Sequence, residues 1–164
     1  MILTTHVLGA AVLTKPLLGL HPVLLFVGAL ASHYLLDIIP HRDYKLDAVI
    51  REGQGKTAKF LGIHRERLFG DVLKIFIDGA VGAGILFFII RPEISIVGLV
   101  PFGAIVLGAV LPDILQPMFW FFPKGPMPFI HRFHKWVHTA YEPRPFIGFS
   151  IQGIFIALSL FILL

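Results

Sequence analysis

The feature that most limits what this chain can fold into is the length of its apolar runs. Residues 17–39, 72–90 and 146–164 are each long enough to cross a bilayer as a helix, which takes roughly 20 mostly apolar residues, and 94–116 qualifies despite Pro101. With 56% hydrophobic residues and a mean hydropathy of +0.83 in 164 residues, the chain carries more apolar surface than a soluble domain of this size can bury. A bilayer must supply the missing solvent. The run from Ile2 to Leu13 is shorter. It is expected to be an integral first helix, because a signal peptide needs an early basic segment and a small-residue cleavage site, and the first charge here is Lys15. The fold expected is all-α: one domain over 1–164, a polytopic membrane bundle of about five helices at 2–14, 17–39, 70–90, 94–116 and 146–164.

Charge placement orients that bundle. Eight of the 14 Lys and Arg lie between Arg42 and Lys74, four more lie between Lys124 and Arg144, and only Lys15 and Arg91 fall in the two short connections. The positive-inside rule then places both basic loops and the N-terminus in the cytoplasm. A basic stripe beside a membrane reads as topology and contact with anionic lipid, so no nucleic-acid partner is expected. The absence of cysteine excludes a disulfide framework and a thiolate metal site. The polar loop 41–69 contains Arg51-Glu-Gly-Gln-Gly-Lys-Thr57, which lacks the glycine and lysine spacing of a phosphate-binding loop and follows no strand.

A weak internal repeat divides the helices into pairs. Thr5-His6-Val-Leu-Gly-Ala-Ala followed by Gly28-Ala-Leu-Ala-Ser-His33-Tyr-Leu-Leu-Asp37-Ile38 is echoed by Ile77-Asp78-Gly-Ala-Val-Gly-Ala and Ile105-Val-Leu-Gly-Ala-Val-Leu-Pro-Asp113-Ile114. His6 corresponds to Asp78, and Asp37 to Asp113. Two such hairpins, plus a C-terminal helix, can pack as a bundle with polar side chains pointing inward. Gly9, Gly79, Gly82, Gly84, Gly103 and Gly108 are expected to let helices approach closely.

The histidines and acids inside these runs carry the chemistry. His33 and Asp37 are four apart near a helix end and so project about 40° apart on one face. Pro40 should end that helix and leave His41 and Asp43 on the turn beyond it. His131, His134 and His138 form a stripe within about 60° on an expected interfacial helix over 129–140, with Phe133 and Trp136 in the headgroups. Asp78 lies well inside its apolar run, where an ionisable group costs about 2.5–3.5 kcal/mol and so marks a functional site by default. His33, Asp37, Asp113 and, in the expected topology, His6 and the histidine stripe share one depth. Imidazole and carboxylate donors suit a divalent first-row ion, Zn²⁺ before Mn or Fe. His33, Asp37, Asp78, Asp113, His134 and His138 are the first candidates as ligands, with His6, His41 and His131 next. Asp43 is a candidate general base, and Arg42, Arg132 and Lys135 are candidates to hold phosphate oxygens. The plain alternatives are a hydrogen-bonded pair for His33 and Asp37, and helix-to-helix hydrogen bonds for Asp78 and His6. His21 and His64 are expected outside the site, Asp71 as a helix cap, and Asp47, Glu52 and Glu66 in solvent.

Four segments, Thr5-His6, Gly28-Ala-Leu-Ala-Ser-His33-Tyr-Leu-Leu-Asp37, Leu111-Pro-Asp113-Ile and His131-Arg-x-x-Lys-x-x-His138-Thr, resemble the bacterial and archaeal inner-membrane proteins known as membrane-bound metal-dependent hydrolases, including the LexA-binding hydrolase group. Ser32-His33-Tyr-Leu-Leu-Asp37-Ile-Ile-Pro-His41-Arg is more distantly similar to the histidine-aspartate segment of zinc-dependent phospholipase C domains. The Pro-Asp segment here follows the Ser-His-x-x-x-Asp segment, the reverse of the family order, and His134 is additional. The resemblance implies a prokaryotic inner-membrane location and metal-dependent hydrolysis. The expected activity is cleavage of a phosphoester or related bond in an amphiphilic substrate at the cytoplasmic leaflet, with one or two divalent ions and with membrane lipids as partners. Two rival readings use the same residues. One is an ion or proton transporter, for which five spans would call for a homo-oligomer. The other is a non-catalytic scaffold in which the polar groups only join helices.

Overall fold

Helix α1 (Leu3–Thr14) is the axis of the molecule, and ten of its twelve residues are buried. It is apolar or small around its whole circumference, the pattern of a helix enclosed on all sides rather than of one lying on a surface. The computed structural model describes residues 1–43, 45–52, 59–122, 124–139, 141 and 143–164. After α1 come a 3-10 turn (Lys15–Leu17), α2 (Pro22–Asp37), strands β1 (Val49–Glu52) and β2 (Lys59–Ile63), and then α3 (Arg65–Ile90), α4 (Ile96–Phe121), α5 (Met127–Val137) and α6 (Pro145–Leu163).

Helices α3, α4 and α6 are long and apolar enough to cross a membrane. The span expected over 17–39 is shorter than the sequence pattern suggests. Pro16 lies in the 3-10 turn, Gly19 adopts φ 96°, and Pro22 opens α2, so hydrophobicity runs on while the helix is broken. The 16 residues of α2 rise about 24 Å, less than the roughly 30 Å of a hydrocarbon core. Two other helices exceed their expected bounds. Helix α3 begins at Arg65, and α4 runs through Pro101, Pro112 and Pro117 to Phe121. Part of the polar loop is an antiparallel hairpin, with Val49 opposite Ile63 and Glu52 opposite Lys59, so the segment from Arg51 does follow a strand, contrary to expectation. Most of its glycine-rich segment, residues 53–58, lies outside the described residues.

Close contacts show the helix directions. Gly79 and Gly82 of α3 meet Leu3 and Thr4 of α1 in parallel order, and a Cβ at Gly82 would stand 2.8 Å from the Thr4 Cα. Helix α6 runs the same way, since Gln152 bonds the Ile2 amide near one end of α1 and the Ile162 carbonyl accepts from Lys15 at the other. Helices α2 and α4 run in the opposite direction, packed where Gly108 leaves room for the Phe26 carbonyl and Ala29. At Gly84 and Gly103 no described atom lies within 4 Å of where a Cβ would stand, so neither is needed for close approach.

The buried core is narrow and built of small and aliphatic residues: Val7, Leu8, Ala10, Ala11, Leu25, Ala29, Leu86, Ile105 and Ala109. Large apolar residues face outward instead, with Phe76, Phe88, Ile96, Phe146 and Phe161 each at least 70% exposed. An apolar exterior on this scale is at home in lipid and not in water.

Candidate metal centre

The C-terminal end of α2, the N-terminal end of α1, the last turns of α4 and the inner face of α5 converge on one point. His33 and Asp37 reach it from successive turns of α2, as their spacing requires. His6 comes from α1, Asp113 from α4 and His134 from α5. The main chain reinforces the junction, because the Thr139 amide donates to the Asp37 carbonyl at 2.7 Å and so fastens the end of α5 to the end of α2.

His134 Nε2 and His33 Nε2 lie 3.1 and 3.2 Å from Asp37 Oδ2, and His6 Nε2 lies 3.3 Å from Asp37 Oδ1. Asp113 stands opposite, with its oxygens 3.7 Å from His33, 3.8 Å from His134 and 4.0 Å from His6. The His6 and His33 rings stack with centroids 3.9 Å apart. His6, His33 and Asp37 have no solvent exposure, His134 has 4%, and only the Asp113 side chain, at 28%, is open.

Hydrogen-bond accounting explains what such a cluster needs. His33 Nδ1 faces the Ala109 carbonyl at 2.6 Å; a carbonyl can only accept, so this nitrogen carries the proton and Nε2 of the neutral ring is a lone pair. Among the described residues, His6 Nδ1 and Nε2, His33 Nε2, His134 Nδ1 and both Asp37 oxygens are buried with no hydrogen-bond partner. Buried polar groups are almost always partnered, and the imidazole nitrogens beside Asp37 partner it only where they carry a proton. A cation at the centre would satisfy several of these acceptors at once. The spacing also fits, because tetrahedral ligands bound at about 2.0–2.1 Å sit roughly 3.3 Å from one another. These residues could hold a metal ion.

A second group adjoins the first. His41 Nε2 and His138 Nε2 are 3.1 Å apart, with Asp43 Oδ1 3.4 Å from His41 and Oδ2 3.6 Å from His138. The Met1 amine donates to Asp43 Oδ1 at 2.5 Å. His138 falls just beyond α5, since that helix ends at Val137 and not near 140, and its extended backbone turns the ring toward His41. Burial pushes the His138 imidazole down, but Asp43 and Asp37 outweigh it and leave its pKa above the ordinary value. Crowding would raise the Asp43 carboxyl, yet the Met1 amine, His138 and His41 together hold it well below the usual carboxylate range. A carboxyl held in its ionised form is a poor general base.

Other candidates are placed elsewhere. Asp78 does not join the cluster, because its carboxylate accepts from the Leu3 and Thr4 amides at 2.5 and 3.1 Å and from the Thr4 hydroxyl at 2.7 Å, and so caps α1. His131 bonds Gln116 at 2.6 Å and stacks on Phe119. Arg132 and Lys135 lie on the exposed face of α5, and Arg42 donates to the Pro143 carbonyl at 3.5 Å. Asp71 is not a helix cap. It lies in the second turn of α3 and accepts from the Ala48 amide at 2.7 Å and from Lys74, which also pairs with Asp47. His21 accepts from the Val23 amide at the start of α2, and His64 pairs with Glu66, both away from the cluster.

Gln152 of α6 was not singled out by sequence. It is buried, accepts from the Ile2 amide at 2.8 Å and donates to the Arg42 carbonyl at 2.7 Å, so it holds the chain beside both His and Asp groups. A lone amide inside an otherwise apolar 19-residue helix was the available signal. No protein-family model matches the chain, and no curated protein or solved structure matches it either.

Proposed function

We propose that this chain is a membrane-embedded, metal-dependent hydrolase that cleaves a phosphoester or related bond of an amphiphilic substrate at the cytoplasmic leaflet. The observation that carries this reading is the set of buried polar atoms without a hydrogen-bond partner on His6, His33 and Asp37, gathered with His134 and Asp113 at metal-ligand spacing. Nitrogen and carboxylate donors without sulfur favour Zn²⁺. A divalent ion held there supplies Lewis acidity toward a phosphoryl oxygen and lowers the pKa of water to about 7, so the reaction needs no serine or cysteine nucleophile.

The protein groups have distinct parts in this scheme. Asp37, closed off from solvent, is a ligand. Asp113 stands at the open side, where a carboxylate can meet an incoming water and receive its proton. On its outer face α5 exposes Phe129 and Trp136 beside Arg132 and Lys135, a mixture of apolar and cationic groups suited to a lipid surface. The test is release of phosphate or headgroup from lipid phosphoesters in mixed micelles. Chelation and Asp37→Asn should each lower the rate by more than the roughly 10–100-fold typical of losing an outer-shell partner. Turnover indifferent to both would refute the reading.

A further inference from the structure

We infer that His41, Asp43 and His138 form a second metal subsite, separable from the inner one and joined to it through Asp37 and His134. The inference rests on reading the inner cluster as a metal centre and deepens it. His41 Nδ1 faces the Ile39 carbonyl at 2.8 Å, and His138 Nδ1 faces the Thr139 carbonyl at 3.2 Å. Both carbonyls can only accept, so each Nδ1 carries a proton, and in the neutral form of each ring Nε2 is a lone pair. Those lone pairs face each other across 3.1 Å with the Asp43 carboxylate alongside. Three acceptors aimed at one point repel unless a cation lies between them.

Asp43 Oδ1 is engaged by the Met1 amine, which leaves Oδ2 with the two nitrogens as a three-ligand set. Three protein ligands and an open fourth position are the pattern of a catalytic zinc site, and this set is open, with the Asp43 side chain 55% exposed and that of His138 25%. The ligands are also held in place from behind. Gln152 grips the Arg42 carbonyl between His41 and Asp43, and at Gly148 a Cβ would stand 2.5 Å from the Arg42 Cβ, so glycine lets the turn seat on α6. Asp37, His134 and His138 bring ligand atoms close enough to link the two subsites.

Zinc titration of chelator-stripped, untagged protein in detergent, against a chromophoric competitor, tests the inference by stoichiometry alone. Wild type should take up two equivalents, and Asp43→Asn and His41→Gln one each, with folding checked by size-exclusion chromatography. One equivalent in wild type and in both variants would overturn the second subsite, with a shared proton as the cation between the rings, and would leave the inner centre standing. Loss of all zinc in a folded Asp43→Asn would also overturn it, because the subsites would then not be separable. No uptake by folded wild type would remove the inner metal centre as well.

Discussion

Asp37 lies at the end of α2 with no solvent exposure and, among the described residues, only imidazole nitrogens beside its carboxylate oxygens, whereas Asp78, also in an apolar helix, accepts three hydrogen bonds. Their substitutions should therefore differ in kind. A structural buried ion pair loses about 3–5 kcal/mol when one partner is removed. A metal ligand behaves otherwise: metal-free Asp37→Asn should unfold at or above the temperature of metal-free wild type, while the stabilisation that zinc gives wild type disappears. Asp78→Ala should destabilise by about 1–2 kcal/mol, the usual value of a helix cap, and keep its zinc. Acid should release metal, because ligation needs neutral imidazole. Since Asp43 and Asp37 raise the His138 pKa, protons compete there above the ordinary value of about 6.5, and zinc affinity measured at pH 8 should exceed that at pH 6. An affinity flat across that range would contradict the assignment of histidine ligands. At this scale the sequence was informative where spacing does the work: His33 and Asp37 share a helical face whatever else surrounds them. It could not separate Asp78 from a ligand, because the amides of Leu3 and Thr4 that engage it lie more than 70 positions away.

Helix existence was legible because apolar length is a one-dimensional property, and α3, α4 and α6 follow it. Helix ends were less so. The run over 17–39 is uniformly hydrophobic, yet Gly19 and Pro22 divide it, and α4 continues past three prolines that a soluble helix would rarely contain. Which glycines serve as contacts was not legible either, since Gly82 and Gly84 are two residues apart on α3 and differ only in what faces them. Gly82→Ala should cost about 1–3 kcal/mol by pressing on the Thr4 backbone, whereas Gly84→Ala, with open space around it, should be neutral or stabilise by up to about 1 kcal/mol. Thermal unfolding in detergent distinguishes the two. Equal losses would contradict the packing of α3 on α1.

In the whole molecule, helices of alternating direction bring the ends of α2 and α4 and the start of α1 to one level, and the His and Asp side chains gather there. The same alternation puts the basic loops on that side. The chain has no cysteine, so single cysteines report sidedness directly. Glu66→Cys and Lys135→Cys should be labelled from the cytoplasm, and Glu93→Cys from the opposite side, by a membrane-impermeant maleimide. Occupancy of the buried acceptors by a divalent ion is the property on which these predictions depend. It is tested most directly by the metal content of untagged protein, purified in detergent without chelators and measured by inductively coupled plasma mass spectrometry, for wild type and for His33→Ala and Asp37→Asn. Wild type should carry at least one equivalent of zinc, manganese or iron, and both variants should lose the inner ion. A folded wild-type protein free of metal, or variants that retain the full complement, would contradict that occupancy.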